Sequence, residues 1–494
     1  MNKKVTALFL SMLLVSSAAF AGCSNGGDDA SSNLSVQESS AASDAASSGT
    51  DTEDDTAAED LSYQLNDDGS ISMSYGAILH AWCWSFNTIT ENLQDIKDAG
   101  YTSIQTSPIN ECKVGEDGGM ELYGDGKWYY HYQPTDYKIG NYQLGTLEEF
   151  KTMCSEAKKL GLKIIVDVPM NHVSSDLSVV SENIFNLCDE PFHNKGEIAT
   201  YSSRKQVTQG DLLGLKDLNT GAPEVQQYIL SYLKSVIEAG ASGFRFDAAK
   251  HIELDDDDEK FASDFWNVII ENGSEFQYGE ILQDETCRIA DYAEMMSVTA
   301  STYGERVRLA ASGNVSLANI ESYAVSDAPQ SRLVTWVESH DNYCNDGSWE
   351  QLEEVDIEFG WAIIAARSAG APLFFSRPMG SSLDSQWGNN KIGEVGSDGY
   401  KSENVSALNH FRNEMAGLGE TLSNPDEDKS VLMIERGDKG AVIINRSGSD
   451  YELNGAESVL ADGTYTDKVT GAEFTVSGGK INGTIPSEGI IVIY

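Results

Sequence analysis

The sequence predicts an α/β fold: a (β/α)8 TIM barrel with an inserted subdomain after strand 3 and a C-terminal all-β sandwich domain. Three observations predict it. From about Tyr75, short apolar runs alternate with amphipathic stretches. Residues 172–222 break that alternation and are rich in Ser, Asn, Asp and Gly. After about Gly419, helical spacing stops and short strand-like runs follow. Near-continuous apolar strands, each followed by a helix, imply a parallel sheet covered by helices. The alternation alone also fits an open, doubly wound sheet; eight units in one domain favour closure.

The elements follow in order. Ala77-Ile78-Leu79-His80-Ala81-Trp82 reads as a strand, and Ile89 to Ala99 has helical spacing that stops at Gly100. Tyr101 to Ile109 is strand-like. Leu147 to Leu160 is helical and stops at Gly161, and Lys163 to Val168 is a buried type of strand. Pro223 to Ala239 is a helix with proline at its start and Gly240 after its end. Gly243–Asp247, Phe276–Ile281, Arg308–Ala311, Leu333–Glu338 and Pro372–Ser376 are the later strands. In the C-terminal segment, Val431–Glu435, Ala441–Asn445, Tyr451–Leu453, Glu473–Val476 and Ile490–Tyr494 are strand-like and separated by turn residues.

The N-terminus reads differently. Lys3 and Lys4 precede a mostly apolar or small stretch, Val5 to Phe20, and then Phe20-Ala21-Gly22-Cys23. Residues 1–22 read as an export signal. Small residues before Cys23 resemble a bacterial lipoprotein cleavage and lipidation site, although leucine is more usual where Phe20 stands; simple cleavage and release is the alternative. Residues 23–70 are the lipidated Cys23 and a Ser-, Ala- and Asp-rich tether with too little apolar surface to fold. The expected location is therefore outside the cell, anchored at the surface through lipid or secreted, with the barrel over 71–418 and the β domain over 419–494. No later stretch is long and apolar enough to span a bilayer.

Composition excludes some partners. The 494 residues carry 33 basic against 78 acidic side chains, a formal charge of −45. Phosphate backbones would repel such a chain, so no nucleic acid is expected. A neutral polymer carries no such penalty. Apart from Cys23, six widely spaced cysteines contain no CxxC, which argues against zinc. Disulfides and buried free thiols both stay open, and a monomer is the default.

Acidic residues cluster after the barrel strands, where barrel enzymes carry their active sites. Asp247 ends Gly243-Phe244-Arg245-Phe246-Asp247, Glu280 ends Phe276-Gln277-Tyr278-Gly279-Glu280, and Asp341 follows Val337-Glu338-Ser339-His340. Three carboxylates thus converge on one mouth. Glycoside hydrolysis needs such a set, because its transition state is cationic and a retaining enzyme needs both a nucleophilic carboxylate and a protonated acid. Like charges held close push one pKa upward and keep one member protonated. Arg245, two residues before Asp247, points to the same side of the sheet and would keep Asp247 ionised. The plainer reading of carboxylates after strands is helix N-capping.

Four ordered stretches resemble the sequence regions of the α-amylase family of glycoside hydrolases: Asp167-Val168-Pro169-Met170-Asn171-His172, Gly243 to His251, Gly279-Glu280 and Glu338-Ser339-His340-Asp341. Leu79-His80-Ala81-Trp82, Ile104 to Asn110, Tyr132-Gln133-Pro134-Thr135, Val334 to Asp341 and Pro372 to Pro378 are similar to bacterial α-amylases of the Bacillus subtilis type. The resemblance implies that Asp247 is the nucleophile, Glu280 the acid and base, and Asp341 the residue that holds sugar hydroxyls. It implies that His172 and His340 hydrogen-bond the sugar at the cleaved position and that Tyr132 stacks on it beside Gln133. Lys250 and His251 would line the leaving-group side, with Tyr129 as a wall aromatic.

It also implies a Ca2+ ion between barrel and insertion, held by Asn171, Thr208, Asp217 and the backbone carbonyl of His251, since calcium takes hard oxygen ligands. The acidic run Asp255–Glu259 lacks ligand-loop spacing and reads as a solvated loop. The implied activity is endo-hydrolysis of α-1,4-glucans. A transglycosylase of the same family would share these residues. A noncatalytic relative or a surface glycan-binding lipoprotein would have no need of the intact acids.

Overall fold

The computed structural model describes residues 60–115, 118–123, 127–323, 325 and 327–494. The signal-type segment, Cys23 and the tether as far as residue 59 lie outside the described residues. The folded part starts earlier than residue 70. Gln64 is buried, donates to the Ser368 carbonyl at 2.6 Å and accepts from the Gly417 amide at 2.6 Å, which pins residues 60–70 to the barrel.

Eight parallel strands close on themselves: β1 (Ile78–Ala81), β2 (Ser103–Thr106), β3 (Lys163–Pro169), β4 (Gly243–Asp247), β5 (Phe276–Gly279), β6 (Ser297–Thr299), β7 (Leu333–Trp336) and β8 (Ala371–Phe375), with β8 pairing back onto β1. The barrel, not the open sheet, is the fold. Each strand is followed by its covering helix: α1 (Phe86–Asp98), α2 (Leu147–Lys159), α3 (Pro223–Glu238), α4 (Phe265–Ile269), α5 (Ile289–Met295), α6 (Ser301–Ala311), α7 (Glu354–Ala366) and α8 (Glu403–Glu414). Local chemistry starts several of them. Ser85 caps α1, Thr146 and Glu149 form a capping box on α2, and Pro223 opens α3.

One predicted strand is a helix. Arg308–Ala311 is the last turn of α6, and the sixth barrel strand is Ser297–Thr299. Val307, Ala310 and Ala311 are buried while Leu309 is 39% exposed, a helical spacing that a four-residue apolar run conceals.

Strand alternation sorts the barrel residues. Ile78, Ile165, Phe276, Tyr278, Val334, Trp336, Ala371 and Leu373 pack together inside the barrel, and their neighbours face the helices. Between β3 and α3, the insertion pairs His172–Val173 with Lys216–Asp217 and adds two short helices, Glu182–Phe185 and Arg204–Gln209. The acidic run is not simply solvated. The side chain of Asp257 is 3% exposed and binds Arg204, Arg288 and the Leu254 amide, so it ties the insertion to the barrel.

Behind the barrel lie two antiparallel four-stranded sheets. One has β9 (Glu420–Ser423), β10 (Val431–Arg436), β11 (Gly440–Asn445) and β16 (Gly489–Ile493); the other has β12 (Tyr451–Glu457), β15 (Lys480–Ile485), β14 (Glu473–Ser477) and β13 (Gly463–Thr466). Val431, Met433 and Ile443 pack with Leu453, Phe474 and Ile481 between the sheets, while Leu432, Ile434 and Val442 join the barrel core. Strands β10, β11 and β16 of the first sheet are thus buried on both faces, which explains their continuous apolar sequences, while the edge strand β9 is partly exposed. All six cysteines of the folded part are free thiols.

Candidate active site

Register brings the charged groups together. Asp167 on β3 is the direct neighbour of Arg245 on β4, and Arg245 is the neighbour of Tyr278 on β5. Asp247 and Glu280 lie two residues further along, on the same inward side at the C-terminal mouth. The buried Arg245 guanidinium joins them. Its Nη1 donates to both oxygens of Asp167 at 2.7 Å and to Asp247 Oδ1 at 2.8 Å, and Nη2 lies 3.2 Å from Glu280 Oε1.

A strained turn sets the second acid. Ala248, straight after Asp247, has φ +50°, which costs a residue with a Cβ about 1 kcal/mol. Its amide, in that conformation, donates to Glu280 Oε2 at 2.9 Å. Asp341 lies in the first turn of the short helix His340–Cys344, whose N-cap is Ser339. Its Oδ1 accepts from Asn345 at 3.0 Å, and His340 Nε2 lies 3.4 Å from Oδ2. None of the three carboxylates is an N-cap, so the capping reading fails for all of them.

Burial dominates the electrostatics. Asp247 is pushed up from the usual carboxylate range by desolvation, with Arg245 opposing. The guanidinium therefore limits the rise instead of holding this group low, as expected from sequence. Burial and then the Glu280 charge push Asp341 well up, although its side chain is 37% exposed. Asp167 is raised by burial against the pull of Arg245. Three carboxylates, Asp167, Asp247 and Glu280, share one guanidinium, with Asp341 beside them, so the mouth concentrates negative charge.

The remaining predicted residues take these positions. Tyr132 donates to Asp167 Oδ2 at 2.8 Å, and its ring stacks on His340 at 5.1 Å and 15°. His172 Nε2 is 3.1 Å from the Tyr132 carbonyl, and burial lowers its pKa to about 4. Gln133 accepts from Ser174 at 3.2 Å. Tyr129 meets Trp128 and Tyr130 edge-on. Lys250 is buried and committed to Asp284 at 2.6 Å, and its amide donates to the Glu280 carbonyl at 3.3 Å. His251 Nδ1 faces the Val207 carbonyl at 2.8 Å, with its ring edge-on to Tyr201.

Two participants escaped the sequence reading. Asp167 is the main counter-ion of Arg245, and Asp284 holds Lys250. Asp167 was detectable as the acid at the inward position of β3; Asp284 comes from a loop with no periodic signal.

Some of the residues expected to hold calcium have buried oxygens with unmet bonds. Asn171 Oδ1 and Thr208 Oγ1 are buried with no hydrogen-bond partner, as is Glu253 Oε1. The buried Asp217 carboxyl is raised by burial and then by the charges of Glu253 and Asp211, and His193 Nδ1 is 2.5 Å from it. Among the described residues, no three His, Cys, Asp or Glu side chains form a metal cluster. An amide and a hydroxyl oxygen without partners, beside a carboxylate, fit a hard cation that takes about six to eight oxygen ligands.

A parallel barrel whose mouth carries convergent carboxylates, with an insertion after the third strand and a β sandwich behind, defines the chain as a barrel protein of the glycosidase type. Two family profiles match it: "Alpha amylase, catalytic domain" over residues 64–197 and "Alpha amylase, C-terminal all-beta domain" over residues 422–494. Among curated proteins, it is 42% identical to an α-amylase of Butyrivibrio fibrisolvens, over 85% of this chain and 47% of that protein. It is 38% identical to an α-amylase of Clostridium acetobutylicum, over 85% and 54%. The chain therefore spans about half the length of these relatives. Among solved structures, α-amylase I of Eisenia fetida in a maltohexaose complex superposes with a TM-score of 0.70 at 20% identity, over 85% of this chain and 97% of that one. An Anoxybacillus α-amylase does so with a TM-score of 0.68 at 18% identity, over 85% and 98%. These structural likenesses speak for the fold. The chain belongs to the α-amylase family.

Proposed function

We propose that this chain is an exported α-amylase that hydrolyses internal α-1,4 bonds of starch, glycogen and related α-glucans with retention of configuration. The observation that carries the reading is Arg245 bridging Asp247 and Glu280 at the mouth, with Asp341 sharing the same charge field. Carboxylates on adjacent nitrogens of one guanidinium suit the close pair that double displacement requires. Asp247 attacks the anomeric carbon while Glu280 gives its proton to the departing glycosidic oxygen. The cationic transition state is stabilised by the carboxylates around it. Water then attacks the glycosyl-enzyme, Glu280 takes the water proton, and Asp247 leaves as carboxylate.

Asp341 and His340 hold sugar hydroxyls, the Tyr132 ring packs on the sugar face, and His172, kept neutral by burial, offers a hydrogen bond. Lys250 and His251 border the leaving-group side. A calcium ion bound by Asn171, Thr208, Asp217 and the His251 carbonyl would supply structural cross-linking between insertion and barrel. The relatives named α-amylase support the substrate class. The N-terminal sequence supports export and anchoring through Cys23.

The test is a time course of residues 60–494 on soluble starch, with product size followed by chromatography and anomeric form by NMR. Short linear oligosaccharides appearing early as α-anomers are expected. Early β-anomers would overturn retention, cyclic or lengthened products would overturn hydrolysis as the main outcome, and no products would overturn the activity.

A further inference from the structure

Closure of the barrel makes β1 the neighbour of both β2 and β8, so the loops after these three strands meet at the rim. They carry aromatic rings that form an unbroken series. Tyr132, at the candidate active site, is 6.0 Å from Trp128; Trp128 is 5.7 Å from Trp82; Trp82 is 6.5 Å from Trp387; and Trp387 is 5.9 Å from Tyr123. The last two contacts are near-parallel stacks, at 25° and 12°. Tyr123 stands at the outer end with 69% of its surface exposed, the most exposed aromatic residue of the described chain.

This outer pair is held in a fixed relation to the acids. The Ile392 amide donates to the Met120 carbonyl at 2.8 Å, and Glu121 pairs with Lys391, which joins the two loops. Gln386 donates to the Tyr343 carbonyl at 3.1 Å and its own carbonyl accepts from the Tyr343 hydroxyl, in the same short helix as Asp341. The Tyr123 ring stacks on Trp387, and most of the residue's remaining surface is exposed at a substantial apolar cost. A flat aromatic face fits the apolar C–H face of a pyranose ring, whose hydroxyls point outward to water.

We propose that Tyr123, backed by Trp387, is a distal sugar-stacking subsite that binds a remote glucosyl unit of the same glucan chain that occupies the active site. It rests on the α-glucan reading above and extends it to chain length. Four ring-to-ring steps of about 6 Å separate Tyr132 from Tyr123. A bound trisaccharide leaves that span uncovered, whereas a heptasaccharide reaches across it. Tyr123 is therefore a specificity residue that favours long chains.

The experiment compares the wild type, Tyr123→Ala and Tyr123→Phe on linear α-1,4-linked tri- and heptasaccharides, by kcat/KM and by binding followed through tryptophan fluorescence. In Tyr123→Ala, the heptasaccharide-to-trisaccharide ratio of kcat/KM should fall about 5-fold, through KM, as expected for loss of one stacking contact. The Phe variant, which keeps the ring, should restore it. An unchanged ratio and unchanged heptasaccharide affinity in Tyr123→Ala would overturn the subsite. If the wild type turns over neither sugar yet binds the heptasaccharide in a Tyr123-dependent way, the activity reading fails and the subsite stands; no heptasaccharide binding by the wild type overturns the subsite.

Discussion

Replacing Arg245 with methionine removes the one cation that Asp167, Asp247 and Glu280 share and keeps most of its volume. The guanidinium side chain is 6% exposed and makes three short hydrogen bonds, with Glu280 at 3.2 Å on its second nitrogen. Breaking a buried ion pair from one side costs about 3–5 kcal/mol, because the partner charges stay buried without compensation. That cost depends on pH. Asp167 and Asp247 already have raised folded-state pKa values, and without Arg245 they rise further. The folded variant then binds more protons than the unfolded chain above the ordinary carboxylate range, so its stability falls as pH rises. Urea unfolding of wild type and Arg245→Met should therefore show a deficit that is small near pH 4 and reaches the full 3–5 kcal/mol, about the cost of one broken buried pair, near pH 8. Arg245→Lys keeps the charge, but its compact ammonium cannot bridge three carboxylates, so an intermediate deficit is expected. Equal urea midpoints for Arg245→Met and wild type at pH 8 would refute the claim that this guanidinium holds the mouth together.

Glu280→Gln retains the volume and an oxygen for the Ala248 amide but removes the proton donor, so kcat on starch should fall about 10³-fold with glucan affinity nearly kept; near wild-type turnover would overturn the assignment. Removal of calcium by a chelator should lower the melting temperature, by the equivalent of about 4 kcal/mol where the ion was present at 1,000 times its Kd. An unchanged melting temperature, with elemental analysis confirming removal, would sink the clamp. His80 is buried against His340 and Phe375, and its pKa is lowered to about 3. Between pH 6.5 and 3 the unfolded chain takes up a proton that the folded one refuses, so this contribution to stability is full above 6.5 and lost on acidification. Relative to His80→Gln, the wild type should lose about 2 kcal/mol between pH 7 and 5, and parallel pH–stability curves would refute the shift.

The fold was legible where periodicity and punctuation agreed. Gly100, Gly161 and Gly240 stop α1, α2 and α3 with positive φ, and the run Lys163–Val168 is buried as its apolar sequence requires. Short elements were not. Ser297–Thr299 has three residues and leads through Ala300 into α6, too little for a period to register, and the apolar end of α6 took its place in the reading. In the β domain, Gly463–Thr466 lies largely exposed, so no apolar alternation marks it. Gln64 looked like tether because one polar residue that satisfies two backbone groups leaves no pattern in sequence.

The site divides along the same line, between what a strand dictates and what closure of the barrel dictates. Arg245 and Asp247 share a face because they are two residues apart on one strand, and that could be read locally. Asp167 reaches Arg245 only because β3 and β4 pair in a register that sets them side by side. Tyr123, Trp387 and Trp82 come together only because β8 returns to β1. Residues whose function depends on neighbouring loops carry no shared sequence spacing, so motif reading finds the acids and Tyr132 but passes over Tyr123 and Trp387. The chemistry is therefore encoded locally, at the ends of individual strands, while the length of chain it selects is encoded in the topology. Substitutions at Asp247 or Glu280 should accordingly change rate on every glucan, whereas those at Tyr123 should change which glucans are preferred.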